Sequence, residues 1–307
     1  MKRYILLVLG LLSLTVLNNY GQDLCKDYIL LEGFEPIKKI GFDTTKNWWA
    51  MTEPSQGSVR LIINGKETGV FKSIREPKFS PNGERWAVFA NDNVSMKLIS
   101  NDSVITFKTG TPSEIFFSGN SEEIIYSYKK AEIEIIHTKY AKIEILNRTG
   151  QMFTDYFGTK VACIGKRGSS FVINNNGVES DYFDAIKPIG FWSTGEFLYA
   201  AKTGNGWELY KDSKVISEIY KDIAEFKINL EGTVAVVSVK NNANKYQVLL
   251  ISDEYYEPII GKPYDKVSNL ALHPQLALYA YNASNALNKY VVYNSAEYAG
   301  AAETGKP

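Results

Sequence analysis

An all-β protein built from seven four-stranded antiparallel units is what this 307-residue sequence predicts. Three observations lead there. A short pattern returns about every 38 residues, and a period in that range marks repeat architectures. Each copy holds four short runs with strand character. Aromatic residues are in excess, at 20 Tyr, 15 Phe and 5 Trp, a composition that favours strands.

The pattern is clearest in Phe79-Ser-Pro-Asn-Gly83, a turn followed by the apolar run from Trp86. Its anchors are Phe42, Phe79, Phe117, Tyr156, Phe191, Ile228 and Leu272, and seven inner strands are expected to begin near them. A second element precedes most anchors: an aromatic, two residues, then Ile or Val. It stands at Phe34-x-x-Ile37, Phe71-x-x-Ile74, Phe183-x-x-Ile186, Tyr220-x-x-Ile223 and Tyr264-x-x-Val267. The repeats at Phe117 and Tyr156 lack it.

Within the best copy, residues 76–80 read as a first strand entering a Pro-Asn-Gly turn. Arg85–Ala90 alternates as a second strand and Ser95–Ser100 as a third. Asn101-Asp102 then turns the chain into a fourth, over Val104–Lys108. Asn64-Gly65, Asn175-Asn176-Gly177 and Lys211-Asp212-Ser213 supply the same hairpin chemistry elsewhere. Four antiparallel strands per ~40 residues is a β-propeller blade. Seven blades in one domain over residues 22–307 is the expected architecture, with six or eight as alternatives. Lys289–Asn294 reads as a third strand with little strand character after Glu297. Residues 28–36 are therefore expected to complete the last blade and close the ring, since closure removes open edges.

Residues 1–21 read as a signal peptide. Lys2 and Arg3 precede the apolar run Tyr4–Leu17, which is shorter than the ~20 residues a membrane span needs. The expected location is periplasmic or secreted, the alternative being an anchor that is kept. Cys25 and Cys163 are the two cysteines, too few for a disulfide framework, and Cys163 reads as a buried thiol.

On Phe79-Ser-Pro-Asn-Gly83 and the aromatic-x-x-Ile element, the chain resembles the WD40-like repeats of periplasmic TolB-type propellers. The resemblance covers nearly all of the chain after residue 21. It implies a rigid platform for other proteins without chemistry of its own.

The residues point the same way. His137 and His273 lie in different repeats, His137 on an alternating, solvent-facing strand. No Gly-x-Ser-x-Gly, His-Glu-x-x-His, Cys-x-x-Cys or phosphate loop occurs. Asn91-Asp92-Asn93 and Asn174-Asn175-Asn176-Gly177 read as turns rather than calcium loops. Glu122-Glu123 and Asp253-Glu254 read as solvated turn charge. The expectation is no enzyme, no cofactor and no metal: an exported scaffold that binds proteins in the cell envelope, monomeric unless complexed. The alternative is a glycan- or peptide-binding or hydrolysing propeller with its site at the central channel.

Charge supplies the candidate surface. Lys+Arg and Asp+Glu are both 34, which argues against a nucleic-acid binder. Sorting the connections by face nonetheless gathers Lys38, Lys39, Arg75, Lys78, Lys129, Lys130, Lys166, Arg167, Lys187, Lys202, Lys227, Lys240 and Lys245 on one side. That side is the one of the fourth-to-first and second-to-third connections. Six carboxylates oppose these cations there: Glu53, Glu76, Asp92, Glu114, Glu132 and Glu225. The other face carries most of the remaining acids, Glu179 among them. The expected partner is an anionic protein, with no nucleic acid and no membrane insertion.

Overall fold

A computed structural model describes residues 35–253, 257–286 and 288–299. The signal segment, Cys25 and Glu254 lie outside the described residues. Among those described there is no helix long and apolar enough to cross a membrane. The strands form seven antiparallel sheets, each a four-stranded meander in chain order, with the first strand of the second sheet broken in two. The fold is the expected all-β, seven-bladed propeller.

The chain divides into two compact units, residues 1–79 with 83–108, and residues 80–82 with 109–307. The division near Lys108 falls at a junction that lacks the aromatic-x-x-Ile element. The first unit holds two blades. Ile37–Phe42, Trp48–Thr52, Val59–Ile63 and Lys66–Phe71 form the first. Ser73–Ile74 with Lys78–Phe79, then Trp86–Asn91, Met96–Ser100 and Val104–Phe107, form the second. The second unit holds five blades, whose first strands are Thr111–Phe117, Arg148–Thr154, Ala185–Phe191, Asp222–Ile228 and Lys266–Leu272. From the fourth blade to the seventh, the first strands of neighbouring blades adjoin one another.

The anchors close the first strands rather than opening them, which corrects the expectation. Phe42, Phe117, Phe191, Ile228 and Leu272 are final residues paired with the start of the second strand. In the fourth blade that place belongs to Thr154, paired with Val161, and Tyr156 lies beyond it in the turn. The bulge between Thr149 and Met152 carries one more extra residue than those of the other bulged first strands, so Thr154 lies one residue further from Arg148 than Phe191, Ile228 and Leu272 lie from Ile186, Ile223 and Val267.

In most blades the residue after the first strand caps the turn with its side chain. Asp43 accepts from the amides of Thr45 and Asn47, and Asp155 from those of Thr159 and Lys160. Asn229 serves Thr233 and Val234, and His273 Nδ1 serves Gln275 and Leu276. Such short polar side chains mimic a backbone turn. The outer hairpins are equally local. Asn64-Gly65 sits at φ 48° and 79°, the left-handed pair that a two-residue turn requires.

The apolar clusters lie between neighbouring blades. The cluster of Trp207, Tyr220, Ile223, Val237 and Leu249 joins the fifth and sixth blades, and that of Ile125, Ile136, Ile145, Met152 and Cys163 joins the third and fourth. The aromatic-x-x-Ile element explains this. Phe183, Tyr220 and Tyr264 bridge by backbone to Phe171, Trp207 and Tyr246, at the start of the preceding third strand. Phe71 pairs likewise with Val59. Three residues on, Ile74, Ile186, Ile223 and Val267 enter the next first strand at one common register. The element is thus the clasp from one blade to the next.

The last blade completes itself. Ala296–Ala299 pairs with Asn288–Tyr293 as its fourth strand, the position expected for residues 28–36. Residues 28–34 lie outside the described residues. Glu35 reaches the first blade, accepting from Thr52 Oγ1 at 2.6 Å and pairing with Arg60 at 3.1 Å.

Candidate functional site

In four consecutive blades of the second unit the second strand reaches the same register with a lysine. The pairs that close the first strands are Phe117 with Ile124, Thr154 with Val161, Phe191 with Phe197 and Ile228 with Ala235. Five residues after each second-strand partner stand Lys129, Lys166, Lys202 and Lys240. Equivalent register in repeated meanders puts all four on the same edge of their blades. Lys129, Lys166 and Lys202 are exposed and Lys240 is half-buried. Among the described residues none of the four forms an ion pair.

Each of these lysines faces a defined residue on the third strand. Lys166 pairs with Phe171, Lys202 with Trp207 and Lys240 with Tyr246. These aromatics are the ones the clasp bridges to, so fold and lysine row share a scaffold. Lys240 Nζ lies 5.5 Å from the Tyr246 ring centre, a cation–π arrangement that holds the stem while leaving the ammonium near water. Lys129 faces Glu134 instead.

The remaining predicted cations divide into three groups. Lys38 pairs with Glu53 at 2.9 Å, Lys39 with Glu76, and Lys245 with Asp265. Lys187 reaches Asp222 and the Ile223 carbonyl on the next first strand, with its ammonium 4.5 Å from the Trp207 ring centre. Arg167 binds Glu179 and the Leu146 carbonyl. Glu179, placed on the opposite face by sequence, therefore compensates a cation of this one. Arg75 stacks over Phe89 at 5.6 Å, and Lys130 is exposed at the end of its strand. Lys78 and Lys227 do not belong with the rest. They pair with Ala87 and Val236, one step from the closing pairs, at the far end of their strands. Reading the anchors as strand starts put these two on the wrong side.

Asp222 and Asp265, which hold Lys187 and Lys245, flank first strands on the same side and were not counted among the opposing acids. Lys221 was missed likewise, and its ammonium donates to Asn244 at 3.2 Å. An ion pair with buried side chains also escaped the sequence reading. Glu134 accepts from Arg148 Nε at 2.6 Å, Arg148 Nη2 at 3.0 Å and Ser127 Oγ at 2.6 Å. Arg148 Nη2 also lies 2.9 Å from Glu114. Burial opposes the charge on Glu134, but the bonds from Arg148 and Ser127 outweigh it and hold the carboxyl below its ordinary range.

The groups that chemistry would use have structural work. His137 is half-buried, not solvent-facing, and stacks on Tyr126 with ring centres 4.9 Å apart. Burial, with Lys142 nearby, lowers its pKa. Burial pushes the Cys163 thiol up to about 12, which leaves it unreactive at neutral pH. Glu123 pairs with Lys139 at 2.8 Å, and Asp253 accepts from the Trp192 indole and from Ser193. Asp92 accepts from the amides of Val94 and Ser95 as a turn residue. Among the described residues no three His, Cys, Asp or Glu side chains gather as a metal site would require.

No family model matches the chain, and no curated protein matches it. Solved structures do. A eukaryotic initiation factor aligns at 11% identity and TM-score 0.49, over 86% of this chain and 77% of that one. TolB from Acinetobacter baumannii aligns at 10% identity and TM-score 0.37, over 84% and 75%. A prolyl endopeptidase aligns at 12% identity and TM-score 0.42, over 87% of this chain and 49% of that one. The chain thus spans about half the length of that peptidase. The seven sheets themselves carry the assignment of fold.

Proposed function

We propose that this chain is an exported, noncatalytic propeller that serves as a scaffold for an anionic protein partner in the cell envelope. The observation that carries the reading is the row Lys129, Lys166, Lys202 and Lys240. Four repeats in succession present a cation at one register, and among the described residues none of the four forms an ion pair. Cations so aligned add their fields and steer an anionic surface toward one face. Their effect fades over roughly 8 Å at physiological salt, so it acts at short range and on association rate. The test is capture from the native envelope by the wild-type chain and by a variant with all four lysines changed to glutamate. A specific partner retained by the wild type and lost by the variant is the expected result. Equal capture by both rejects this face as the binding surface.

A further inference from the structure

We infer that the lysine row binds an extended acidic peptide segment laid across successive blades, with one carboxylate for each blade it crosses. The inference rests on the scaffold reading above and narrows it. Packed sheets lie about 10 Å apart, and equivalent positions on neighbouring blades step by a distance of that order. A peptide in the extended polyproline II conformation advances ~3.1 Å per residue and returns its side chains to one face every third residue, so one turn of three residues spans roughly one step. A segment with an acidic residue at every third position therefore meets Lys129, Lys166, Lys202 and Lys240 in turn. Lysine suits this geometry, because its ammonium is a point charge on a flexible stem that takes a single carboxylate oxygen from many directions.

Acids beside the lysines select against a dense polyanion. The Asp184 amide bonds to the Lys202 carbonyl, which puts Asp184 beside that lysine. Asp222 pairs in register with Lys240, and Glu132 sits in the hairpin just beyond Lys130. A nucleic acid duplex carries a charge about every 1.7 Å of its axis and would set phosphates against these carboxylates. A peptide with neutral residues between its acids brings far fewer charges against them. Phe171 and Tyr246, both half-buried, offer apolar surface to those intervening residues.

The test uses the full chain and two labelled peptides of identical composition, followed by fluorescence anisotropy. One repeats Glu-Ser-Thr, and the other gathers its glutamates in one block. The spaced peptide is expected to bind several-fold more tightly. Changing Lys166 and Lys202 to glutamate should weaken it about tenfold, as two exposed charge pairs turned repulsive would. Lys227→Glu changes net charge in the same sense at the far end of its strand and should leave affinity unchanged. Equal affinity for the two peptides, equal loss in the Lys227 variant, no binding of either peptide, or stronger competition by heparin than by the spaced peptide each overturns the inference. If the peptides fail while envelope capture still depends on the four lysines, the scaffold reading stands and the extended segment falls.

Discussion

Between the fifth and sixth blades, Trp207 at the start of a third strand meets Tyr220 and Ile223 of the clasp in one apolar cluster. Between the third and fourth blades the same three register positions hold Glu134, Ile145 and Arg148. The aromatic has become isoleucine, the tryptophan a carboxylate and the plug a guanidinium. Both solutions are dry: Tyr220 and Ile223 are 2% and 0% exposed, and Glu134 is 2% exposed. They differ in how failure is punished. Apolar contact is lost in proportion to the atoms removed, because it is summed over many small terms. A buried ion pair is close to neutral while intact and costly when halved, because the survivor keeps its desolvation penalty.

The sharpest way to break the comparison is Arg148→Met. It leaves Glu134 without its cation and should destabilise the second unit by about 4 kcal/mol, read as a shift in the denaturant midpoint. A cost below that of an ordinary surface change would mean water already reaches the pair. Ile223→Ala, the apolar counterpart, should cost about 3 kcal/mol through lost burial and a residual cavity. Joining Glu134→Leu to Arg148→Ile rebuilds the clasp in apolar form. That double variant should fall within about 1 kcal/mol of the wild type or exceed it, although Arg148→Met alone is severe. Additive losses in the double variant would show that the pair is a net contributor in its own right.

How much of this was legible follows from the spacing of residues. The clasp showed in sequence wherever an aromatic and an Ile or Val kept their three-residue offset, at Phe71, Phe183, Tyr220 and Tyr264. Ile145-x-x-Arg148 keeps the same offset, but hydrophobic pattern alone passes over an arginine. Only its partner Glu134, fourteen residues earlier, makes that arginine a plug. The turn caps are marked by position, since His273 follows its anchor Leu272 as Ser80 follows Phe79. The strand ends were not, because an anchor followed by a turn looks alike whether a strand opens or closes there. That single ambiguity misplaced Lys78 and Lys227. The four row lysines were all found, since a strand that ends in lysine is visible in any repeat alignment. Their common register appeared only once the pairing was known.

The smallest expected difference between the two junctions lies in their response to acid. Glu134 has its pKa lowered in the folded protein, with burial working against the shift and the bonds from Arg148 and Ser127 prevailing. A carboxyl lowered on folding stabilises the native state above its unfolded pKa, near 4.3 for Glu, and loses that contribution as pH falls through the folded value. Arg148 stays charged throughout, and Cys163, pushed up to about 12, stays a neutral thiol. In this window the junction therefore titrates through Glu134. The apolar junction at Trp207 and Ile223 places no carboxyl at the matching positions. Below about pH 4.3 the wild type should then lose stability more steeply than the Glu134→Leu, Arg148→Ile double variant, and the two should run parallel from pH 6 to 8. Thermal melts at closely spaced pH values decide it. Parallel curves down to the acid transition would show that Glu134 keeps an ordinary affinity for protons, and that the third-to-fourth junction owes little to its charge.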